Sequence, residues 1–413
     1  MSHSINGHFG LIGNPLGHSY SPQIHAELAD YEYRLYELAE NEVETFLSCA
    51  DFTALNVTIP YKKTVMPFLE EISDEAERIG SVNTITRTKD GGLRGDNTDY
   101  YGFSYMLDRA GINVSGKKVL VLGAGGASMT ARTVAADRAA REVVVISHSM
   151  NRPEVLAEHG DCEILINTTP VGMFPHNGET PVSLDLFPRL CGVADVIYNP
   201  AVTRLAHDAR VRGIKWCTGL TMLVAQAKYA AELFTGQSID NSEIVRVTKK
   251  IEIGMKNLLF VGMPGCGKST IGASVARLTG RAFVDTDKLI EQRAGATIPE
   301  LFAAHGEEYF RTLETEVLAE VSRGSGQVIA TGGGVVTRER NHPLLEQNST
   351  VIFLERETSS LPRDGRPISK SRDMNELYRE RLPLYRAVSD YSFSVETTDV
   401  EENAKRILEM VGL

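Results

Sequence analysis

The sequence predicts an α/β protein whose parallel sheets are connected by crossover helices. Short apolar, β-branched segments alternate with helical patterns, among them HFGLIG, KVLVLG, EVVVIS, NLLFVG and VIFLE. Strands that alternate with helices in this way form parallel sheets. Twice a glycine follows such a strand as it does in nucleotide-binding loops, at Gly123 and at Gly262. A chain of 413 residues exceeds one ordinary core, so we expect more than one domain.

Composition excludes several classes of function. The net charge of −11 argues against nucleic acid as a partner, because that binding depends on clustered Lys and Arg. The five cysteines lack paired spacing, which argues against a disulfide framework or a zinc site. No apolar run approaches the roughly 20 residues that span a bilayer, and the start MSHSINGHFG lacks signal-peptide features. We expect a cytoplasmic protein that acts on small molecules.

A domain boundary is expected near Gly254. The stretch MKNLLFVGMPGCGKST begins at Met255 and resembles the start of a separate chain, and the preceding GQSIDNSEIVRVTKKIEIG is polar and charged. We therefore expect a linker over 241–256 and a second domain over 257–413.

The first nucleotide site is predicted in KKVLVLGAGGASMTARTVAADRA, which reads as a strand, a glycine turn and a helix. Gly123 allows the tight turn, Gly125 lets the backbone approach a pyrophosphate, and Ser128 packs against the strand. A glycine turn without a ligand is the alternative. The expected phosphate-binding residues are Gly123, Ala124, Gly125, Gly126 and Ala127.

The cofactor is predicted at the end of the next strand, REVVVIS. An NAD site usually has Asp or Glu there for the ribose 2′-hydroxyl, and none is present. Ser147, His148, Ser149 and Arg152 are suited to a 2′-phosphate instead, which favours NADP.

Six motifs in the first half resemble the shikimate dehydrogenase family, in that family's order. They are GNPLGHSYSPQIHAEL, NVTIPYK, GSVNTI, GDNTDYYG, GAGGAS and GLTMLVAQAKYAAELFTG, and the match covers roughly residues 5 to 240. The resemblance implies a two-lobed unit that reduces 3-dehydroshikimate to shikimate with NADPH. Its substrate-binding domain is expected over 1–112 with a returning segment over 217–240, and its NADP-binding Rossmann domain over 113–216.

The residues of these motifs suit that chemistry. Hydride transfer to a ring carbonyl requires that a proton be delivered to the carbonyl oxygen. Lys62 is suited to deliver this proton, and Asp99 is suited to orient Lys62. The resemblance makes this pair catalytic, gives Tyr198 a role in substrate binding and places Gly219 near the nicotinamide. Taken alone, Lys62 reads as a surface lysine and Asp99 as a turn or helix-cap residue. Neutral side chains that suit a polyhydroxylated acid are Ser19, Ser21, Thr58, Asn83 and Gln226.

Two further features of the first half bear on cofactors. Many family members have Asn-Arg-Thr where this chain has Ser147, His148 and Ser149, so the use of NAD stays open. We expect His18 and His25 to be structural rather than metal ligands.

The second half begins with a phosphate-binding loop, GMPGCGKST, directly after a strand. In such loops backbone N–H groups hold phosphates, here with Lys268 neutralising charge and Ser269 ligating Mg²⁺. The expected ATP-binding residues of the loop are Gly265, Cys266, Gly267, Lys268, Ser269 and Thr270.

The segments that follow resemble shikimate kinase over about residues 257 to 411. They are FVDTDKLIE, GEEYFRTLETEVL, ATGGGVV, RDGRP and RLPLYR. Asp285 and Asp287 are read at a strand end with side chains on opposite sides. The resemblance assigns Asp285 to Mg²⁺ and Asp287 to the attacking hydroxyl, and has Arg311 and Arg381 grip the substrate carboxylate.

Other parts of this half leave alternatives open. Gly333, within the run Gly332–Gly334, is expected to let the backbone approach the substrate. Asp287 can instead cap a helix, Arg311 can pair with Glu307 or Glu314, and Arg381 can be solvated. The lid SSLPRDGRPISKS is shorter than usual, with Arg363 the candidate ATP-binding arginine and Arg366 structural.

Together the halves predict a bifunctional enzyme that makes shikimate and then phosphorylates it with ATP and Mg²⁺. An alternative is a quinate/shikimate dehydrogenase that uses NAD and carries a nucleotide-sensing, non-catalytic P-loop module. We expect small-molecule partners, no nucleic acid and no membrane, and the oligomeric state stays open.

Overall fold

The computed structural model describes residues 7–17, 19–357 and 374–413. The described residues form two compact units. The first comprises the chain through Gly172 together with Glu179–Tyr198 and Leu205–Ile251, and the second comprises Met173–Gly178, Asn199–Arg204 and the chain from Glu252.

The first sheet of the first unit has six strands in the order β2-β1-β3-β5-β6-β4. The strands are β1 Phe9–Gly13, β2 Tyr33–Glu37, β3 Ala54–Val57, β4 Glu71–Ile72, β5 Thr84–Arg87 and β6 Leu93–Asp96. Its helices are α1 Ser21–Leu28, α2 Val43–Cys49, α3 Asp74–Ile79 and α4 Thr98–Arg109.

This sheet is mixed, whereas the sequence predicted parallel pairing. β5 is antiparallel to both β3 and β6. β5 and β6 form a hairpin, with Gly91 at φ 94° in its turn. A hairpin reverses the chain without a crossover helix, and the Asp-Gly-Gly turn at 90–92 is its local signal.

The second sheet of the first unit is entirely parallel, in the order β11-β10-β9-β7-β8. All five residues of β7, which lies between β9 and β8, are buried, as expected for a sheet covered by helices on both faces. The strands are β7 Lys118–Leu122, β8 Glu142–Ile146, β9 Ile164–Asn167, β10 Gly192–Asp195 and β11 Lys215–Cys217. Its helices are α5 Gly126–Asp137, α6 Pro153–Ala157 and α7 Arg204–Val211. The next helix, α8 Leu220–Thr235, returns to the first sheet, where Phe234 packs with Phe9 and Ala54.

Helix α8 packs closely on α4. A Cβ atom on Gly102 of α4 would lie 2.7 Å from the carbonyl oxygen of Met222 and 2.9 Å from Cβ of Gln226. Glycine therefore allows the two backbones to approach, which brings the returning part of the chain against the first sheet's helix.

The segment expected as a linker over 241–256 is a helix, α9 Ser242–Met255. Near its start, Arg246 donates to Glu27 Oε2 at 2.9 Å and to the Glu27 carbonyl at 2.7 Å. At its end, Arg281 donates to the carbonyl oxygens of Ile253 and Lys256, at 2.9 and 2.7 Å. An arginine that binds terminal carbonyls satisfies groups that a helix end leaves unpaired.

The second unit has one parallel sheet in the order β13-β14-β12-β15-β16. Phe260 and Phe353 on the central strands are fully buried in its core. The strands are β12 Asn257–Val261, β13 Phe283–Asp285, β14 Val328–Ala330, β15 Ser349–Glu355 and β16 Tyr391–Ser394. The helices are α10 Lys268–Thr279, α11 Thr286–Ala294, α12 Ile298–Val321, α13 His342–Glu346, α14 Met374–Val388 and α15 Val400–Val411.

The predicted α/β class is confirmed, with two of the three sheets fully parallel. None of the helices in the described ranges combines the length and apolar character that a bilayer crossing requires.

Candidate active sites

Lys62 and Asp99 form an ion pair in the first unit. Lys62 Nζ lies 2.5 Å from Asp99 Oδ2, and the two side chains are 26% and 17% exposed. Lys62 follows β3, and Asp99 lies in the first turn of α4. The neighbouring Lys63 is exposed, so the two adjacent lysines have different environments.

The mixed sheet explains why residues far apart in sequence meet here. The end of β3, the start of β5 and the end of β6 share one edge because β5 runs antiparallel to its neighbours. Thr58 follows β3 directly, and its N–H donates to the Ile12 carbonyl at 2.9 Å. Asn83 precedes β5, and its N–H donates to the Asp96 carbonyl at 3.0 Å. The hairpin thus brings Thr58, Asn83 and the start of α4 to the same edge.

Thr98 connects two of the predicted substrate-binding residues. Asn83 Oδ1 accepts from the Thr98 N–H at 2.7 Å, and Gln226 Oε1 accepts from Thr98 Oγ1 at 3.4 Å. Thr98 is fully buried and adjacent to Asp99. The sequence analysis missed Thr98. This residue lies inside the motif GDNTDYYG and, like Asn83, has a neutral hydrogen-bonding side chain, so the motif could have indicated it.

Ser19 and Ser21 lie after β1, at the start of α1. Ser19 Oγ accepts from the Ser21 N–H at 3.2 Å. Because β1 is parallel to β3, this segment begins from the same sheet edge as Thr58.

Tyr198 packs edge-on against Tyr20, with ring centroids 6.2 Å apart. Burial raises the pKa of Tyr198, and the neighbouring Tyr20 raises it further. The phenol therefore stays protonated across the neutral range and is a hydrogen-bond donor.

Gly219 has a packing role that the sequence did not indicate. A Cβ atom there would overlap the carbonyl group of Val196, and the Gly219 N–H donates to the Ile197 carbonyl at 2.8 Å. Only glycine allows this approach at the start of α8.

The glycine loop after β7 suits a dinucleotide. Gly123 has φ 105°, and Gly125 precedes the first turn of α5. Cβ atoms on Gly125 and Gly126 would meet nothing within 4 Å, which leaves room for a pyrophosphate at the helix N-terminus. Ala124 is exposed and Ala127 half-buried, while Ser128 is fully buried.

The residues predicted to contact a 2′-phosphate follow β8 directly. Ser147 is half-buried, and its Oγ lies 3.1 Å from Ser149 Oγ. His148, Ser149 and Arg152 are exposed.

The phosphate-binding loop of the second unit follows β12 directly. Gly262, Gly265 and Gly267 have φ values of 145°, 87° and 107°, conformations that favour glycine. Lys268 begins α10, is 7% exposed and donates to the carbonyls of Gly262 and Met263 at 2.8 and 3.0 Å. Ser269 and Thr270 are exposed in the first turn of α10, and Cys266 is fully buried.

A cavity of about 470 Å³ joins this loop to the predicted acceptor residues. The residues predicted to bind the phosphate donor and those predicted to bind the acceptor acid therefore line the same cavity. Among its lining residues are Gly265, Gly267, Lys268, Ser269, Thr270, Asp287, Arg311, Glu314, Gly332, Gly333, Gly334 and Arg381.

Three buried polar atoms of this cavity have no hydrogen-bond partner among the described residues. They are Asp287 Oδ1, Glu314 Oε1 and Arg381 Nε. Burial raises the pKa of Asp287 to about 6, and the charge of Glu314 adds to the effect. Burial also raises the pKa of Glu314. Buried polar groups are rarely left unpaired, so these atoms suit a polar ligand.

Other groups lie so close to the backbone at each position of the Gly332–Gly334 run that only glycine fits there. A Cβ atom on Gly332 would lie 2.7 Å from both Asp287 Oδ1 and Glu314 Oε1, and one on Gly333 would lie 2.6 Å from Pro264. On Gly334 it would overlap the Arg311 guanidinium. The Gly333 carbonyl accepts from Arg381 Nη1 at 3.0 Å.

The sequence analysis placed both Asp285 and Asp287 at the end of a strand, and this prediction is wrong for Asp287. Asp285 ends β13, whereas Asp287 lies in the first turn of α11. Asp285 Oδ1 caps this helix by accepting from the N–H groups of Asp287 and Lys288 at 3.1 and 3.4 Å. The alternative that Asp287 is the cap is therefore wrong.

Arg311 pairs with both Glu307 and Glu314 and also lines the cavity. Sequence reasoning treated these pairings as an alternative to a site role, but the structure combines them. Arg363, Arg366 and His18 lie outside the described residues. Within the described ranges, no group of three or more His, Cys, Asp or Glu is arranged to hold a metal ion.

Comparisons with known proteins match each half separately. The model of the shikimate dehydrogenase substrate binding domain matches residues 11–85, and the shikimate kinase model matches residues 264–412. An NADP⁺ shikimate dehydrogenase of Clostridium perfringens is 39% identical over 256 residues, which cover 57% of this chain and 94% of that relative.

Solved structures match the same part of the chain. A chorismate mutase/shikimate 5-dehydrogenase fusion protein from Clostridium acetobutylicum is 34% identical with a TM-score of 0.55, covering 60% of this chain and 98% of that one. Shikimate 5-dehydrogenase from Thermus thermophilus, in complex with NADP(H) and shikimate, is 30% identical with a TM-score of 0.51, covering 59% and 98%. The chain therefore belongs to the shikimate dehydrogenase family and carries a shikimate kinase domain in its C-terminal part.

Proposed function

We propose that this chain is a bifunctional enzyme that reduces 3-dehydroshikimate to shikimate with NADPH and then phosphorylates shikimate at its 3-hydroxyl with ATP. The observation that carries the proposal is the cavity that brings Lys268, Asp287, Arg311 and Arg381 together in a chain whose other unit has the Lys62–Asp99 pair.

In the first unit, Lys62 is the proposed proton donor. NADPH supplies the hydride when bound, and the carbonyl oxygen then needs one proton to become the hydroxyl. Lys62 Nζ provides it, and Asp99, 2.5 Å away, holds the ammonium in place. Because Lys62 is 26% exposed, solvent can return the proton after each turnover.

Substrate hydroxyls are proposed to bind at the shared sheet edge. Thr98 fixes the side chains of Asn83 and Gln226 through the hydrogen bonds described above, and Tyr198 adds a protonated phenol. A site built from such groups rejects analogues that lack a hydroxyl by up to about 10⁴-fold.

In the second unit, Asp287 is the proposed base. A pKa of about 6 leaves this carboxylate ionised at pH 7 yet basic enough to accept the proton of the attacking hydroxyl. Arg311 and Arg381 would hold the acid's carboxylate, because arginine binds carboxylates through paired N–H donors. The backbone of Gly333 positions Arg381 directly.

The phosphate donor is proposed to bind at the loop before α10. ATP with Mg²⁺ supplies the phosphoryl group when bound. Lys268 would neutralise phosphate charge, and Ser269 with Asp285 would hold the cation. Asp285 would do so while its Oδ1 caps α11.

NADP is the proposed nicotinamide cofactor. Ser147, His148, Ser149 and Arg152 follow β8 without a carboxylate among them, and a carboxylate there is the usual partner of the NAD ribose. The Clostridium perfringens relative carries NADP⁺ in its name, which supports the same choice.

The test is a coupled assay of the full chain with 3-dehydroshikimate, ATP and Mg²⁺, run separately with NADPH and NADH. We expect shikimate 3-phosphate, formed faster with NADPH. Accumulation of shikimate without a phosphate ester would overturn the kinase proposal and favour a nucleotide-sensing module. Faster turnover with NADH would favour the NAD-dependent quinate/shikimate alternative.

A further inference from the structure

We infer that Glu307 competes with the substrate carboxylate for Arg311 and so raises the KM of the second unit for its acceptor acid. The inference rests on the proposed kinase function, because it takes Arg311 as the group that binds the acid.

Carboxylates already occupy two sides of the Arg311 guanidinium. Nε and Nη2 both donate to Glu307 Oε1, at 3.3 and 3.1 Å, and Nη1 donates to Glu314 Oε2 at 2.8 Å. The edge formed by Nε and Nη2 is one that binds a carboxylate through two parallel hydrogen bonds. Glu307 therefore uses donors that a substrate carboxylate would use.

The two glutamates differ in how easily they can leave Arg311. The side chain of Glu314 is 1% exposed, so separating it from Arg311 would strand a buried charge. The side chain of Glu307 is 57% exposed and can rotate into water. Glu307 is therefore the partner that an incoming carboxylate can displace, and Glu314 is the one that stays.

Arg311 itself has little freedom to move towards the substrate. Its side chain is 4% exposed, and its guanidinium lies directly over Gly334, where even a Cβ atom would overlap it. The guanidinium carbon also lies 5.4 Å from the centroid of the Phe310 ring. Since Arg311 is held on several sides, Glu307 is the side chain that moves when a substrate carboxylate binds.

The test is the variant Glu307→Gln in the full chain, with shikimate phosphorylation as the readout. Glutamine keeps the size of the side chain but removes the competing charge. We expect the KM for shikimate to fall by about two- to fivefold, the range that fits an ion pair with one exposed partner. The kcat and the KM for ATP should stay unchanged, and the difference in KM should shrink at high salt.

Glu308→Gln is the matched control. Glu308 is the adjacent residue, its side chain is 73% exposed, and it pairs with Arg338 rather than with Arg311. The substitution removes the same charge from the same helix turn, and we expect no change in the KM for shikimate. A second control is the methyl ester of shikimate, whose KM should not respond to Glu307→Gln because it lacks the carboxylate.

Three outcomes would count against the inference. An unchanged or higher KM in Glu307→Gln would mean that Glu307 orients Arg311 instead of competing for it. An equal decrease of the KM for shikimate in Glu308→Gln would mean that the loss of any nearby negative charge has this effect, without direct competition for Arg311. A wild-type chain without kinase activity would overturn the proposed function itself, and the inference with it.

Discussion

Lys62 and Asp99 are in direct ionic contact, 2.5 Å apart, although 37 positions separate them in the sequence. The contact joins the segment after β3 to the first turn of α4, at the edge where the β5–β6 hairpin also delivers Asn83. This convergence makes a pair of common polar residues a candidate proton-transfer site.

Lys62→Met should abolish the dehydrogenase and spare the kinase. Loss of the proton donor is expected to lower kcat by about 10²–10⁴-fold, measured as NADPH oxidation with 3-dehydroshikimate. Lys63→Met is the control, because Lys63 is adjacent but exposed. A similar loss in both variants would mean that general positive charge matters and that Lys62 has no special role.

Lys268→Ala should have the opposite effect, with kinase activity lost and NADPH oxidation unchanged. Lys268 is buried in the phosphate-binding loop, and its charge is expected to stabilise the transferring phosphoryl group. Lys405→Ala is the control, since Lys405 lies in an exposed i,i+4 pair with Glu401. Phosphorylation of shikimate should be followed directly. If Lys268→Ala kept full activity, the loop would not be the ATP site.

Gly332→Ala should remove kinase activity in a folded chain. The added Cβ would lie 2.7 Å from both Asp287 Oδ1 and Glu314 Oε1 and would push these carboxylates from their positions. Gly254→Ala is the control: its Cβ meets nothing within 4 Å inside α9, and alanine favours a helix by about 1 kcal/mol over glycine. Circular dichroism should verify folding of both variants, and an active Gly332→Ala would contradict the tight approach.

His25 should make the first unit acid-sensitive. Burial lowers its pKa from 6.5 to about 3, so the folded state holds it neutral while the unfolded state takes up a proton below about pH 6.5. Its contribution is fully present above that pH and is lost as the pH falls, by roughly 2 kcal/mol at pH 5.

Urea denaturation between pH 5 and pH 8 measures this effect. His25→Gln should flatten the pH dependence of the first unit's midpoint, because the titrating ring is gone. Tyr31, whose hydroxyl lies 2.6 Å from His25 Nδ1, does not titrate in this range: burial holds its pKa well above neutrality. Equal slopes for variant and wild type would rule out His25 as the source.

His148→Arg should improve the use of NADP. An arginine after β8 would add a permanent charge and paired donors for a 2′-phosphate, and His148 is exposed at that position. We expect the KM for NADPH to fall several-fold and the KM for NADH to stay constant. A change in both would place position 148 away from the 2′-phosphate.

Local patterns predicted the two parallel sheets well. β7 and β12 are short, buried apolar strands followed at once by glycine, so strand, turn and helix could be read from neighbouring residues. The phosphate-binding loop was predicted for the same reason, since its glycine conformations and its lysine lie within a few positions.

Other features depend on tertiary contacts that no local pattern expresses. The antiparallel β5 changes which residues share an edge. Helix α9, by contrast, has a local signal that the expected linker overlooked, because Ile244, Val247 and Ile251 recur at helical spacing and are buried. From the sequence, Glu314 was predicted only as a possible ion-pair partner of Arg311. Its second oxygen, Oε1, is buried without a hydrogen-bond partner among the described residues and lies close to Gly332, and this arrangement exists only in the folded chain.

The Gly332–Gly334 run also constrains what evolution can do at this site. Each of the three positions lies against a different neighbour, so replacement by any other amino acid adds atoms where none fit. An inhibitor that makes its main contacts to this backbone would face a surface that point mutation cannot reshape without displacing the side chains packed against it. Selection for resistance to such a compound should therefore yield changes elsewhere in the chain.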